Sequence, residues 1–262
     1  MLWLYWGPAR SLAAAYGKST WAVVTGASSG IGEALACKLA KEGFSLLIVA
    51  RSNDRLEALA IRLREAWQVT VEVLPLDLAQ SDSWRSVELV MRGRKWSMLV
   101  NNAGALDFRE FAHLSAEEAE ASLRLHIGAL VALTQFFLTS GPAKKALINL
   151  GSLSGTVPLP SLALYSGSKA FISAFSEALA KEDSADVLCV APVCVSSGMT
   201  WGLGLEDSDN VAAAILRCVG RTSWSAGSLR QEILHYAVEM LPRTAVQALF
   251  RSVSKVVQLV SR

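Results

Sequence analysis

The sequence has little charge of either sign and no block in which one sign is concentrated. Its 262 residues carry 25 Lys and Arg against 23 Asp and Glu, which gives a formal net charge of +2. Domains that bind nucleic acid normally show a basic patch or stripe. Because no such stretch is present, a nucleic acid is not expected among the partners of this protein.

Cysteine and histidine are also scarce. The four cysteines, Cys37, Cys189, Cys194 and Cys218, are scattered without the Cys-x-x-Cys spacing of a metal site or a redox motif. The three histidines stand apart as well, so we expect no bound metal. Scattered cysteines are typical of free, mostly buried thiols, which predicts an intracellular, reducing compartment.

A long apolar run is missing from the N-terminus. The apolar stretch there is far shorter than the roughly 20 residues that a membrane-spanning helix needs. The segment also lacks the basic start, apolar centre and cleavage site of a secretory signal, which we therefore do not predict. Two interpretations stay open for residues 1–18: a flap that packs on the body of the protein, or an interfacial membrane anchor built from Trp3, Tyr5 and Trp6.

Short apolar runs alternate with segments of helical periodicity along most of the chain. The runs predict strands buried on both faces, at residues 21–25, 44–50, 69–75, 97–101, 146–150 and 187–191. The intervening segments predict helices at residues 33–41, 53–67, 81–91, 162–180 and 209–219, and a helix that begins after a Ser115 cap. This order predicts an α/β fold with a doubly wound, Rossmann-like parallel sheet and helices on both faces. No repeat or linker interrupts it, so residues 1–262 are predicted to form a single domain.

A glycine-rich turn, Thr25-Gly-Ala-Ser-Ser-Gly-Ile-Gly32, follows the first predicted strand. Between a strand and a helix, small residues let the backbone approach a pyrophosphate, and the helix N-terminus offers unpaired amides to the negative charge. The spacing differs from G-x-G-x-x-G, and the same composition also suits a simple tight loop. The position directly after the first strand favours nucleotide binding.

Polar residues follow the next three predicted strands. Arg51 stands where NAD-binding folds usually have an acidic residue, and a guanidinium there suits the 2′-phosphate of NADP(H); a solvated charge at a helix start is the alternative. Asp77 either accepts a hydrogen bond from an adenine amino group or only forms a turn. Asn101-Asn-Ala-Gly104 is either a turn or part of a ligand site, because open parallel sheets bind ligands at this edge.

Tyr165 and Lys169 lie four residues apart on a predicted helix and therefore share one face. A nearby ammonium lowers the pKa of a phenol, which helps a tyrosine to exchange a proton near neutral pH. Ser152, at the end of a predicted strand, would direct a hydroxyl to the same place. A Tyr-x-x-x-Lys pair is also common as a solvated polar pair, so its meaning depends on the motifs around it.

Together these motifs resemble the main branch of the short-chain dehydrogenase/reductase family over roughly residues 19–200. The resemblance rests on Thr25-Gly-x-x-x-Gly-Ile-Gly32, Asn101-Asn-Ala-Gly104, Ser152 and Tyr165-x-x-x-Lys169 in this order and spacing. A narrower similarity, to the 17-beta-hydroxysteroid dehydrogenase and microsomal 3-ketoacyl-CoA reductase group, rests on the stretch from Tyr16 to Gly26 and on Pro158-Leu-Pro160.

The resemblance implies a role for each site residue. Tyr165 would protonate the substrate carbonyl oxygen during reduction, Lys169 would lower the pKa of Tyr165 and bind the nicotinamide ribose, and Ser152 would hydrogen-bond the carbonyl. Positions implied to bind NADP(H), besides Tyr165 and Lys169, are Gly26, Ser28, Ser29, Gly30, Ile31, Gly32, Arg51, Asp77, Leu78, Asn102, Ala103, Gly104, Val195 and Ser197.

The implied function is NADP(H)-dependent reduction of an apolar ketone, such as a 3-ketoacyl-CoA or a steroid, by a homodimeric enzyme. The alternatives are a small-carbonyl reductase of the same family and a catalytically weak nucleotide-binding or membrane scaffold. The implied location is cytoplasmic or associated with the endoplasmic-reticulum membrane.

Two positions depart from the family pattern. His126 stands where many relatives have an asparagine in a water-linked proton relay; an imidazole can also relay protons, or be a hydrogen-bonded core residue. Val193 follows Pro192, where the family usually has glycine. Because a β-branched residue disfavours positive φ, the backbone at Val193 is expected to differ slightly from the family's or to stay in an ordinary region.

The last part of the chain, residues 198–262, is assigned to a substrate lid and C-terminal helices. Residues 198–205 mix Trp and Leu with glycines, which fits a lid over an apolar substrate or a surface loop. Residues 243–262 place apolar side chains at helical spacing beside Arg243, Arg251 and Lys255. This pattern fits peripheral membrane contact, a partner subunit or docking on the protein's own core.

Overall fold

Nine strands are present in the computed structural model, which describes residues 5, 10–196 and 204–260 and, of these, the side chains up to residue 251. They are β1 (Trp21–Thr25), β2 (Ser45–Ala50), β3 (Val71–Pro75), β4 (Trp96–Asn101), β5 (Ala146–Leu150), β6 (Asp186–Val190), β7 (Val195–Ser196), β8 (Glu206–Asp207) and β9 (Trp224–Ser225). Seven of them form one sheet in the order β3-β2-β1-β4-β5-β6-β9. Every neighbouring pair in that sheet is parallel, so the carboxyl ends of its strands share one edge.

Helices connect the strands. They are α1 (Leu12–Tyr16), α2 (Gly30–Lys41), α3 (Asn53–Trp67), α4 (Trp84–Met91), α5 (Ala116–Leu123), α6 (Ala129–Thr139), α7 (Ala163–Leu179), α8 (Ser208–Cys218), α9 (Leu229–Glu239) and α10 (Arg243–Val260). A π-helical turn, Arg124–Gly128, joins α5 to α6. The predicted Ser115 cap is confirmed: its Oγ accepts from the Glu118 N–H at 3.2 Å, and its own N–H donates to the Glu118 carboxylate at 2.8 Å.

Both faces of the sheet are covered because each face is apolar. On one face, Leu35, Leu56 and Ile215 from α2, α3 and α8 are fully buried in one cluster with the strands. On the other face, Val87 of α4 and Phe137 of α6 are fully buried in a second cluster. Removing such side chains from water is the main stabilising contribution to a fold of this kind. The predicted doubly wound architecture is therefore confirmed.

By length and composition, one helix among the described residues could cross a membrane: Ala116–Thr139, which comprises α5, the π turn and α6. Leu133 and Phe137 of this helix are fully buried in the cluster on the sheet, and His126 is 2% exposed. Packing inside the domain therefore accounts for part of its apolar character, since 33% of its most apolar stretch is buried.

The six predicted strands are confirmed, each within two residues of its expected bounds. Strand β9 and helix α9 were not predicted. The strand is two residues long, which is too short for an apolar pattern. Helix α9 buries Gln231, Glu232 and His235, so its inward face has no apolar stripe that a periodicity search can recognise.

Tyr5 packs on the body of the protein, as the flap interpretation expects. Its side chain is 8% exposed, and its hydroxyl donates to Glu232 Oε1 at 2.7 Å and lies 2.8 Å from Ser225 Oγ. Trp3 and Trp6, the other residues of the anchor interpretation, lie outside the described residues.

Candidate active site

A cleft of about 790 Å³ opens at the carboxyl edge of the sheet. One part, which we call the motif half, is lined by residues that follow strands β1 to β4: residues 26, 28–31, 51, 77–78 and 102–104. The other part, the apolar half, is lined beside Ser152 and Tyr165 by Phe108, Leu153, Leu159, Leu162 and Phe250. Lys169 and Val195 also line the cleft. Of the predicted site residues, Gly32 does not line it, and Ser197 lies outside the described residues.

The glycine turn after β1 depends on the absence of side chains. Gly26 and Gly30 have φ angles of +66° and +59°, a region that L-residues with a side chain rarely adopt. At Gly32, a Cβ atom would collide with the Asn102 side chain and the Gly26 carbonyl oxygen. Gly32 is therefore required for packing between the turn and β4, which explains why it lies outside the cleft wall.

Thr25 and Asn102 bind the glycine turn to the end of β4. Thr25 Oγ1 donates to the Val100 carbonyl at 3.1 Å and accepts from the N–H groups of Asn102 and Ala103, both at 3.0 Å. The Asn102 amide donates to the carbonyls of Thr25 at 2.9 Å and Gly26 at 3.1 Å. The side chain of Asn102 thus acts inside the protein, and Thr25 is a supporting residue that the sequence analysis did not single out.

Two arginines lie at the end of β2. The exposed side chains of Arg51 and Arg55 both line the motif half. Arg55 was not predicted; it lies in the first turn of α3, whereas Arg51 precedes the Ser52 cap of that helix. Asp77 Oδ1 accepts from the Ala79 N–H at 3.0 Å, so this aspartate does form a turn, and it also lines the cleft.

The structure brings Ser152, Tyr165 and Lys169 together at the boundary of the two halves. Lys169 Nζ donates to the Leu150 carbonyl at the end of β5 at 2.6 Å and lies 5.4 Å from the centre of the Tyr165 ring. The short turn after Ser152 approaches α7 closely, since a Cβ on Gly155 would lie 2.7 Å from the Lys169 carbonyl carbon. This close approach places the Ser152 hydroxyl beside the helix that carries the other two residues.

Burial determines the protonation of this group. It raises the pKa of Tyr165 to about 12, although a hydrogen bond with Ser152 acts in the opposite direction. Burial also lowers the pKa of Lys169 to about 8. The expectation of a Tyr165 pKa below its usual value is therefore wrong for the chain by itself, because desolvation of the phenolate is the largest contribution to the shift.

His126 lies in the π turn, with its ring edge-on to the Tyr165 ring at 5.5 Å between centroids. Its Nε2 lies 3.1 Å from the Ala105 carbonyl oxygen, and its Nδ1 is buried without a hydrogen-bond partner among the described residues. Burial, followed by the charge of Lys169, lowers the pKa of His126 to about 3. The imidazole is thus neutral at physiological pH, and its role in a proton relay stays a prediction.

Two buried asparagines fix α7 relative to the sheet. Asn101 Nδ2 donates to Thr134 Oγ1 at 3.0 Å and to Asn149 Oδ1 at 2.9 Å, and Asn149 Nδ2 donates to Ser176 Oγ at 2.9 Å. This chain of hydrogen bonds links β4, β5, α6 and α7. Buried amides need partners with correct geometry, so the network specifies where the helix carrying Tyr165 lies. A lone asparagine in the apolar run of β5 is the signal that could have revealed it.

The loop after β6 is held by α9. The Val193 N–H donates to Gln231 Oε1 at 2.9 Å, and Gln231 itself is fully buried. Val193 does not have a positive φ, which confirms the expected ordinary backbone. Residues 198–203 of the predicted lid lie outside the described residues.

Helix α10 contributes to the wall of the apolar half. The ring of Phe250 stacks on that of Phe108, with centroids 6.1 Å apart and planes 25° apart. Gln247 Nε2 donates to the Pro158 carbonyl at 3.0 Å. Of the three interpretations of the C-terminal segment, docking on the protein's own core is thus confirmed for this part of α10, while Leu249 is 68% exposed.

Comparison with known proteins agrees with this geometry. The family described as "short chain dehydrogenase" matches residues 20–208. The chain is 30% identical to 17-beta-hydroxysteroid dehydrogenase type 3 of Homo sapiens over 86% of its own length and 76% of that protein. It is 37% identical to very-long-chain 3-oxoacyl-CoA reductase of Podospora anserina over 71% of its own length but 58% of that protein. Among solved structures, a short-chain dehydrogenase from Sphingobium yanoikuyae in complex with NADPH superposes with a TM-score of 0.75 at 30% identity, covering 88% of this chain and 94% of that one.

Proposed function

This chain belongs to the short chain dehydrogenase family, and we propose that it reduces the carbonyl group of an apolar ketone with NADPH. The observation that carries the proposal is the place of Ser152, Tyr165 and Lys169 in one cleft, at the boundary between the motif half and the apolar half. A carbonyl group at this boundary would contact the hydroxyls while the rest of the substrate extends into the apolar half.

The residues of the motif half fit NADP(H). The turn at Gly26 and Gly30 presents backbone without side chains, and α2 begins there with unpaired N–H groups that suit a pyrophosphate. Arg51 and Arg55 provide two guanidinium groups at the end of β2, and such groups bind a phosphate with paired donors. When bound, NADPH supplies the hydride for the carbonyl carbon.

Tyr165 is the proton donor in this proposal. With a pKa of about 12, the phenol is protonated at neutral pH, which is the state that reduction requires, and a positive charge close to it makes it a stronger acid towards the carbonyl oxygen. The Ser152 hydroxyl stabilises the negative charge that develops on that oxygen. The Lys169 ammonium, beside the phenol ring, stabilises the phenolate that Tyr165 becomes after it gives up its proton.

The apolar half supports the choice of substrate class. Its wall beside Tyr165 consists of aromatic and leucine side chains, which favour an apolar group over a sugar or another polar ketone. The names of the two relatives refer to a hydroxysteroid and to a very-long-chain 3-oxoacyl-CoA, and the ring system of the first and the acyl chain of the second are apolar. We therefore propose a steroid-type or 3-ketoacyl-CoA-type substrate.

The test is NADPH oxidation with a panel of apolar and small ketones, combined with NADPH binding measured by fluorescence. In Tyr165→Phe, kcat should fall by about 10² to 10⁴ because the proton donor is lost, while the Kd for NADPH changes less than about threefold. Tyr236→Phe, a change at an exposed tyrosine that does not line the cleft, serves as the matched control. Turnover that is unaffected by Tyr165→Phe would refute the mechanism, and tight NADPH binding without turnover of any ketone would favour a nucleotide-binding scaffold.

A further inference from the structure

Phe108 and Phe250 come from distant parts of the sequence but line the same end of the cleft. Phe108 belongs to the loop after β4, and Phe250 to α10. Their rings are stacked, with a centroid distance of 6.1 Å and an interplanar angle of 25°. Both side chains are half-buried, so each ring retains a surface that a molecule in the cleft can cover.

The orientation of α10 is defined at the positions around Phe250. Gln247 Nε2 donates to the Pro158 carbonyl at 3.0 Å, in the segment between Ser152 and Tyr165. Phe250 lies three residues later, and on a helix this spacing places it on the same face as Gln247. The adjacent Leu249 is 68% exposed and does not line the cleft. The helix thus directs one large apolar side chain towards the cleft and the neighbouring one towards solvent.

We propose that the stacked pair of Phe108 and Phe250 is the specificity-determining contact for the apolar part of a large substrate. The inference rests on the proposed function and deepens it. Leu153 directly follows Ser152, Leu162 lies three residues before Tyr165, and these two leucines are 7% and 4% exposed. The aromatic pair, in contrast, is half-buried and connects the loop after β4 with α10. A ketone with a large apolar group covers these rings, whereas a small ketone does not reach them.

Contacts made equally in the ground state and the transition state affect KM rather than kcat. We therefore expect Phe250→Ala to raise KM for large apolar ketones by about tenfold, in the range known for apolar specificity pockets, with kcat changed less than twofold. For small ketones, KM should stay within twofold. Phe250→Leu should raise KM for large ketones much less than Phe250→Ala does, because leucine retains apolar surface. Gln247→Ala should raise KM for large ketones by about threefold and leave KM for small ketones within twofold.

Leu249→Ala is the matched control, since it removes a large apolar side chain from the adjacent position that faces solvent. Each variant is compared with the unchanged protein in three measurements: steady-state kinetics with one large and one small ketone, NADPH affinity by fluorescence, and large-ketone affinity by calorimetry in the presence of NADP+. Melting temperatures identify any variant that fails to fold. If Phe250→Ala fails to fold, Phe250→Leu and Gln247→Ala take its place in the comparison with the unchanged protein.

A rise in KM confined to the large ketone, absent in Leu249→Ala, supports the inference. Equal losses for both ketones, a loss of NADPH affinity of the same size, or an improved KM for the large ketone would overturn it. The calorimetric measurement separates this inference from the proposed function. A protein that binds the large ketone through Phe250 but turns over none refutes the reaction, whereas turnover that is insensitive to Phe250→Ala refutes the specificity contact.

Discussion

The motif half of the cleft is built from short segments that directly follow strands, and several of its lining residues are glycine or alanine. The apolar half is built from side chains of three separate segments: the loop with Phe108, the stretch from Leu153 to Leu162, and α10 with Phe250. The first half is therefore determined by local sequence and by the common edge of parallel strands. The second depends on contacts between residues far apart in the chain. A single atom added to the crowded glycine turn that supports the motif half should do more harm than a whole side chain removed from the apolar half.

The strongest test of this comparison is one added methyl group. At Gly32 a Cβ meets the Asn102 side chain and a backbone carbonyl, whereas at Gly167, also in a helix, a Cβ meets nothing within 4 Å. Overpacking of a rigid site costs about 1 to 3 kcal/mol, so Gly32→Ala should raise the Kd for NADPH by about 10-fold to 100-fold. Gly167→Ala, the control, should leave NADPH binding unchanged and slightly raise the melting temperature. Equal NADPH affinity in both variants would contradict the role assigned to the crowded turn.

A smaller effect on NADPH affinity is expected at the edge of the motif half, where an arginine side chain would contact the nucleotide. Removal of the exposed guanidinium in Arg51→Ala should raise the Kd for NADPH by about tenfold, which corresponds to the loss of one charge-assisted hydrogen bond to a phosphate. Binding of NADH should change less than twofold, because NADH has no 2′-phosphate. Fluorescence titrations of Arg51→Ala with both nucleotides measure the ratio directly. An equal loss for both would mean that Arg51 does not discriminate between them.

The smallest catalytic effect is expected at His126, between the two halves. Since His126 is neutral in the folded chain, with a pKa of about 3, His126→Asn should change kcat less than about threefold. It should also leave the pH profile of the rate between pH 5 and 7 unaltered. A loss of a hundredfold would instead establish a proton relay through the imidazole.

The pH dependence of the free energy of unfolding gives an independent measure of the protonation of His126. Below pH 6.5 the unfolded chain binds a proton at His126 that the folded chain does not bind, so the free energy of unfolding falls as the pH falls towards 3. Between pH 7 and pH 5 this contribution is about 2 kcal/mol. Urea unfolding should show that His126→Asn loses less stability over this interval than the unchanged protein does.

The difference between the halves also explains what the sequence could predict. Ser152, Tyr165, Lys169 and the residues after β1 to β4 were assigned from local motifs, and the structure places all of them except Gly32 in the cleft wall. Ser197 was assigned in the same way but lies outside the described residues. Phe108 and Phe250 were not identified, because no local pattern reveals which distant side chains meet.

Electrostatic environment was predicted less well than position. The pKa of Tyr165 was expected to fall because Lys169 stands four residues away, but burial raises it. The spacing of two residues on a helix determines their distance. It does not determine how much water surrounds them, which depends on the packing of the whole domain. Asn102 illustrates the same limit: it lines the cleft, but the motif did not reveal that its amide donates to the carbonyls of Thr25 and Gly26.

The polar inward face of α9 has an evolutionary consequence. Glu232 is 3% exposed, and its Oε1 accepts hydrogen bonds from the Tyr5 hydroxyl at 2.7 Å and from the Ala226 N–H at 3.1 Å. A leucine in a core can be replaced by another apolar residue of similar volume. A buried carboxylate that loses its donor is strongly destabilising. Tyr5 and Glu232, although separated by most of the chain, are therefore expected to be kept together or lost together as related sequences diverge.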